Sequence, residues 1–357
     1  MATPSNAAAY LPKSKAPLLE IKSAPYTHPR KNEILIKNAA VAINLVDNAK
    51  RDMGEMLYAW VKYPIVQGFD AAGEVVEVGP GVTRFKAGDR VVGFAGGMEK
   101  SINNSALSAF QLYTVLQDHM VSPIPDSLSF ESASVIPLAL STAACGLFQK
   151  DHLGLRYPTN PPSKPTGETV LITGGATSVG CDAIQLAVAA GYEVISTSSP
   201  KNFDYVKKLG ATKVFDYNSP TLVKDLIHAL QGKTTAGALS IGNGAAEKCM
   251  DVMDKCQGNK FVSMASYPNP DPMPTTLVIP KFILHYMTWS VAAWWKSKTK
   301  SIGYKFIWGA ALKDNEVGPL MFVDFLPAAL EDGTFVAAPE PIVVSPFPLN
   351  SQSSLAS

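Results

Sequence analysis

Cysteine, histidine and net charge are all scarce in this chain. Of 357 residues only four are cysteines, Cys145, Cys181, Cys249 and Cys256. None forms a C-x-x-C pair and none has a histidine at zinc-finger spacing, which argues against a disulfide scaffold or a zinc ribbon. The five histidines, His28, His119, His152, His228 and His285, have no spacing that gathers ligands around a metal. A formal charge of +1 supplies no long-range field for nucleic acid or anionic lipid. The small group Lys296, Lys298, Lys300 and Lys305 reads as a solvated face. Met1 to Tyr10 lacks a basic-then-apolar leader, and no run of ~18 consecutive apolar residues reads as a membrane span. The expectation is a soluble, cytoplasmic protein without nucleic-acid or membrane partners.

What is present is a globular composition, 46% hydrophobic and 17% charged, in a chain long enough for about two domains. Residues 1–130 read as β-rich. Strand-length runs occur at Leu18–Ile21, Glu33–Lys37, Ala71–Val78, Val91–Phe94 and Phe110–Leu116, broken by Gly79-Pro-Gly81 and Ala87-Gly-Asp89. At about Phe130 the pattern turns helical through Phe148. An irregular insertion follows to residue 168, with Pro158, Pro161, Pro162 and Pro165. From Glu168 strands and helices alternate, which implies a doubly wound parallel sheet. Leu277 to Trp295 reads as a last strand running into a buried or interface helix. Phe322 to Leu330 reads as a helix and Ile342–Val344 as a strand.

The alternating part opens on Glu168-Thr-Val-Leu-Ile-Thr-Gly174-Gly-Ala-Thr-Ser-Val-Gly180. A buried strand, a small-residue turn and a helix start leave backbone N–H groups where a phosphate can sit. The next strand ends about 20 residues further on, where a dinucleotide site meets the adenosine ribose. There the sequence offers Ser198, Ser199, Lys201 and Asn202, and no acid between Ile195 and Asn202. Hydroxyls and a cation suit a 2′-phosphate and an acid would repel it, so NADPH is preferred to NADH. Tyr217, past the third strand, is a candidate for the ribose side, or an ordinary edge tyrosine.

The segments Asn44-Leu-Val-Asp47, Pro64-Ile-Val-Gln-Gly68-Phe-Asp70-Ala-Ala-Gly73, Phe85-Lys-Ala-Gly88-Asp89-Arg90 and Lys208-Leu-Gly210-Ala211, taken in order with the glycine loop, resemble the medium-chain dehydrogenase/reductase family. The similarity spans roughly residues 8–345. It points to the zinc-independent fungal branch that contains trans-acting enoyl reductases, beside the quinone oxidoreductases. The resemblance implies an α/β architecture. A GroES-like catalytic domain would occupy residues 1–130, a Rossmann NADPH-binding domain 131–305, and a return to the catalytic domain 306–357. Where zinc members carry Cys and His-Glu, this chain has Asn44–Asp47 and Phe69-Asp70. Gly96 to Ser108 replaces the four-cysteine lobe, so no metal is expected.

By the same resemblance, Asn44 and Asp47 shape the nicotinamide pocket, together with Val46 and Asn48. Gly174, Ala176, Thr177, Ser178 and Val179 hold the pyrophosphate, and Ser263 and Met264 face the nicotinamide. Leu138, Leu140, Ser141, Thr142 and Cys145 line the substrate cleft, with Tyr286 as a further candidate. Three departures stand out. Relatives often read Asn-Pro-x-Asp-Trp-Lys where this chain has Lys50 one place late. The loop's middle glycine is Thr177, and the chain closes on the unusual Asn350–Ser357. The expected reaction is hydride transfer from NADPH to an α,β-unsaturated carbonyl in fungal secondary metabolism. The expected substrate is a small molecule, free or a carrier-bound polyketide, and the protein a monomer or homodimer. Alternatives are a quinone reductase and a non-catalytic NADPH-binding protein.

Overall fold

The computed structural model describes residues 4–53, 57–271 and 276–344. The chain divides into two compact units, one of residues 1–138 with 313–357 and the other of residues 139–312. The second crossing falls a few residues beyond the expected return at 306. The unusual Asn350–Ser357 tail lies outside the described residues.

The first unit is built from short antiparallel strands. They are β1 (Asn6–Leu11), β2 (Glu20–Ala24), β3 (Glu33–Ala42), β4 (Ile65–Val66), β5 (Asp70–Val78), β6 (Arg90–Phe94), β7 (Tyr113–Gln117) and β8 (Val121–Pro123). One sheet has the order β2-β1-β4 and the other β7-β3-β5-β6-β8. Ile34, Ile36, Ala71, Val75, Val91, Leu116 and Val121 alternate onto one face and form its core. Gly68 sits at φ 98°, and a Cβ there would lie 2.4 Å from the Phe110 ring, so only glycine admits this approach. Two strand readings shift: Leu18–Ile21 becomes β2 two residues later, and Phe110–Leu116 becomes β7 from Tyr113. Helix α1 (Leu45–Met53) leaves the end of β3.

The chain passes into the second unit through α2 (Phe130–Ala133) and α3 (Pro137–Phe148). By length and hydropathy the run Phe130–Phe148 meets the test for a membrane span, contrary to the sequence reading. It is 67% buried in the fold, so its apolar surface is already covered as in a core helix. Then come β9 (Glu168–Ile172), α4 (Ser178–Ala189), β10 (Glu193–Ser198), α5 (Phe203–Lys208), β11 (Lys213–Asp216), α6 (Leu222–Leu230), β12 (Thr234–Ser240), α7 (Ala245–Asp254), β13 (Gln257–Gly258), β14 (Phe261–Met264), α8 (Val278–Lys300) and β15 (Gly303–Phe306). The sheet runs β11-β10-β9-β12-β14-β15, with every pair parallel and β13 beside β12. Counted from β9, the six strands of that path take the 3-2-1-4-5-6 order of a dinucleotide-binding fold.

Leu171, Ile195, Leu226, Met250, Met253 and Val262 form the core on one face of that sheet. Leu277–Trp295 holds no strand. The whole stretch from Val278 is one helix and the last strand follows it, because an unbroken apolar run does not by itself distinguish strand from helix. Back in the first unit, residues Leu326–Glu331 end a helical segment before Gly333. Ile342–Val344 is exposed and forms no strand.

Candidate active site

In the first unit, Asn44 stands just before α1 and Asp47 one turn in. The Asn44 backbone N–H donates to Asp47 Oδ2 at 2.8 Å, the backward half of a capping box. The Asn44 side chain is thereby free to leave its own helix. Its Nδ2 donates to Oδ2 of Asp70, the first residue of β5, at 2.7 Å. The other Asp70 oxygen accepts the Leu138 backbone N–H at 2.7 Å, at the start of α3. Gln67 Nε2 holds the Asp47 carbonyl at 2.8 Å. One asparagine therefore joins two carboxyls, and one of these fixes a helix start.

Both carboxyls are nearly sealed from water, Asp47 at 5% and Asp70 at 1% exposure. Burial pushes each up to about 7, against the opposing pull of their hydrogen bonds, and the Asp47 charge adds to the rise at Asp70. Val46 and Asn48 keep contact with solvent on the same helix turn, while Lys50 is fully buried. Lys50 Nζ donates to the Tyr58 carbonyl at 3.1 Å and lies 5.0 Å from the Tyr63 ring centroid. The lysine that falls one place late is thus committed to the unit's interior.

In the second unit, the turn after β9 is pinned from the neighbouring strand. Gly174 N–H donates to Thr197 Oγ1 at 3.1 Å and Gly175 N–H to the Thr197 carbonyl at 2.8 Å. Thr177 caps α4, its hydroxyl accepting the Gly180 N–H at 3.1 Å. A Cβ on Gly180 would sit 2.2 Å from the Gly174 carbonyl oxygen, so this glycine is what lets the helix close on the turn. The backbone N–H groups of Ala176, Ser178 and Val179 have no partner among the described residues, and all three residues are half-buried. Unsatisfied donors at the positive end of a twelve-residue helix suit an anion such as a pyrophosphate.

The end of β10 lies beside this turn. Ser198 is buried and its hydroxyl donates to the Ser199 carbonyl, so it is spent on the chain itself. Ser199 Oγ accepts from Asn202 Nδ2 at 3.2 Å. Lys201 is exposed and carries no ion pair or hydrogen bond among the described residues. Tyr217 is half-exposed, and its N–H reaches the Ser198 carbonyl at 3.4 Å, so the ends of β10 and β11 meet here.

Other expected residues turn inward. Ser263 is fully buried; its hydroxyl donates to the Gly146 carbonyl at 2.9 Å and meets His152 Nδ1 at 3.2 Å. Met264 is buried at the end of β14. On α3, Leu140, Ser141 and Cys145 are fully buried, and the Cys145 thiol reaches the Trp308 and Gly309 carbonyls. Burial pushes that thiol up to about 12. Only Leu138 and Thr142, one helical turn apart, keep an open face, because α3 is apolar nearly all round and packs on most sides. Tyr286 belongs to α8 and not to α3. Two residues that sequence reasoning gave no role are Asp70 and Thr197. An acid set between Phe69 and Ala71 in an apolar strand was the available signal for the first. Among the described residues no group of three or more His, Cys, Asp or Glu could hold a metal ion.

Residues 30–126 match the alcohol dehydrogenase GroES-like domain. Over 337 residues, 94% of this chain and 91% of the relative, the sequence is 54% identical to the dehydrogenase pigH of Monascus ruber. The chain belongs to the medium-chain dehydrogenase/reductase family. It is an oxidoreductase of that family's fungal branch. It is similar also to the trans-enoyl reductase himH of Aspergillus japonicus, 33% identical over 96% of this chain and 91% of that protein. Among solved structures, a mycobacterial protein complexed with NADPH superposes with a TM-score of 0.62 at 22% identity, covering 92% of this chain and 88% of that one. The family fold implies a nicotinamide cofactor, and the three unpartnered amides at α4 fit its pyrophosphate.

Proposed function

We propose that this oxidoreductase uses NADPH to reduce an α,β-unsaturated carbonyl, in the manner its likeness to a trans-enoyl reductase suggests. The observation that carries the cofactor preference is the end of β10. There Lys201, exposed and with no ion pair among the described residues, follows two residues after Ser199, with no carboxylate from Ile195 to Asn202. A 2′-phosphate gains a charge-assisted contact there that a 2′-hydroxyl does not. The amides of Ala176, Ser178 and Val179 would hold the pyrophosphate, with Gly174 shaping the turn and Thr177 capping the helix. NADPH supplies the hydride when bound.

Asn44, locked to both carboxyls, would fix the loop that shapes the nicotinamide side, with Val46 and Asn48 on its open edge. Leu138 and Thr142, the half-buried positions of α3, would meet a small-molecule substrate, carrier-bound or free. Secondary metabolism is the setting that the fungal relatives suggest.

Cofactor titration followed by single-turnover loss of nicotinamide absorbance tests this reading. The acceptors are an enone, an enoyl thioester and a quinone. NADPH is expected to bind more tightly than NADH, and Lys201→Ala to cost about tenfold in NADPH affinity alone, as one exposed charge-assisted contact of about 1.4 kcal/mol would. Oxidation by quinones alone would assign the protein as a quinone reductase. NADPH binding without oxidation by any acceptor would make it a non-catalytic binder.

A further inference from the structure

Helix α8 presents two unlike faces. Phe282, His285, Trp289, Ala293 and Lys296 recur every three or four residues and turn inward. Trp289 Nε1 donates to Glu247 at 2.5 Å, Lys296 pairs with Asp251 at 2.6 Å and Lys300 with Asp254 at 3.4 Å, so this side is pinned along α7. The opposite side carries Pro280, Leu284, Met287, Val291, Trp294 and Lys298, all exposed. Their spacing alternates four and three, the heptad seam of a helix that packs against another helix. Nothing among the described residues covers it. Leu284 is 63% exposed, Val291 67% and Trp295 64%. Together with Leu277, Ile283, Met287 and Trp294 they leave roughly 850 Å² of accessible surface, more than a typical monomer's largest apolar patch. Covering most of that face in two copies would bury upward of roughly 1,000 Å² in total, the lower bound for a specific interface.

We infer that the seam of α8 pairs with α8 of a second copy, antiparallel about a two-fold axis at the level of Trp289. In that register Met287 meets Val291, Leu284 meets Trp294 and Pro280 meets Lys298, so each layer sets a larger side chain against a smaller one. A parallel pair would stack Trp294 on Trp294. It would also bring Lys296, Lys298 and Lys300 of both copies to the same end, whereas the antiparallel pair keeps the two cationic ends apart. Lys298 then lies at the rim, where its ammonium stays in water.

Sedimentation equilibrium of the full chain is expected to give a dimer, and Val291→Lys a twofold drop in mass with an unchanged circular-dichroism spectrum. The four native cysteines are buried, so introduced thiols report the register. The double variant Met287→Cys/Val291→Cys should oxidise to a covalent dimer, whereas Val291→Cys alone should not, because that residue meets Met287 and not its own twin. A monomeric wild type at tens of micromolar, or a dimer that survives Val291→Lys, overturns the inference. So does an efficient cross-link through Val291→Cys alone, or a monomer that instead sediments with phosphatidylcholine vesicles.

Discussion

Replacing Asp70 by Asn should make this protein relatively more stable as pH rises, the reverse of what loss of a native charge usually does. The substitution keeps the side-chain shape. Its Oδ1 can still accept the Leu138 N–H, and the Asn44 amide can turn to offer its oxygen, so the direct cost is about 1 kcal/mol. The wild-type carboxyl moves from 3.8 in the open chain to about 7 in the fold, because burial disfavours its charge. Below 3.8 the carboxyl is protonated in both states and costs nothing. Through the window from 3.8 to about 7 the unfolded chain ionises first, and the native state loses stability as pH rises.

For that single carboxyl the loss between about pH 5 and about pH 7.5 works out at about 2.5 kcal/mol. The variant lacks it and also relieves Asp47 of a neighbouring charge. Urea unfolding at the two pH values should therefore show Asp70→Asn gaining about 2.5 kcal/mol on wild type across the interval. A protonated-carboxyl infrared band lost in the variant would identify the group. A stability difference that stays flat with pH would refute the idea that burial dominates at Asp70.

Gly180→Ala places a methyl against backbone at 2.2 Å, with nothing flexible to give way. It should destabilise by about 2–3 kcal/mol and weaken nicotinamide-cofactor binding, read by calorimetry and cofactor fluorescence. Thr177→Val removes the α4 cap and should lower stability by about 1 kcal/mol, measurable as a drop in Tm. Asp70→Ala, unlike Asp70→Asn, removes the acceptor of both the Leu138 N–H and the Asn44 amide, so it should be about 1–3 kcal/mol less stable than Asp70→Asn at every pH, both variants lacking the carboxyl.

Five strands of the parallel sheet, β9, β10, β11, β12 and β14, were legible as short runs closed by turn signals, with helices of their own period between. By contrast, β13 (Gln257–Gly258) and β15 (Gly303–Phe306) carry too little apolar pattern to read. The glycine loop was legible for the same reason: Gly174, Thr177 and Gly180 each answer a local demand of the strand-to-helix turn. What sequence could not supply was direction. Ser198, Ser263 and Cys145 are the right types at plausible places. Each spends its polar atom on a carbonyl that only the folded chain brings near. In the sequence Asp70 stands out only for what it replaces, and its partnership with Asn44 spans 26 residues that no local pattern connects. The stretch from Leu277 misled because an unbroken apolar run reads alike as strand and helix. Its exposure, the fact that matters, belongs to the tertiary structure alone.

The boundary between the two units falls at Leu138, inside α3 and not in a loop. Severing the chain there would part Pro137 and Leu138 from the rest of α3, leaving the amide that Asp70 accepts with no helix behind it. A fragment of residues 139–312 would begin with exposed helical N–H groups and an apolar end, while residues 1–138 would keep Asp70 and the Leu138 amide without the helix that holds that amide in place. Proteolysis should accordingly spare this crossing. A cut that keeps α3 whole would have to fall before Pro137, and it would part the helix start from the Asp70 carboxyl that anchors it.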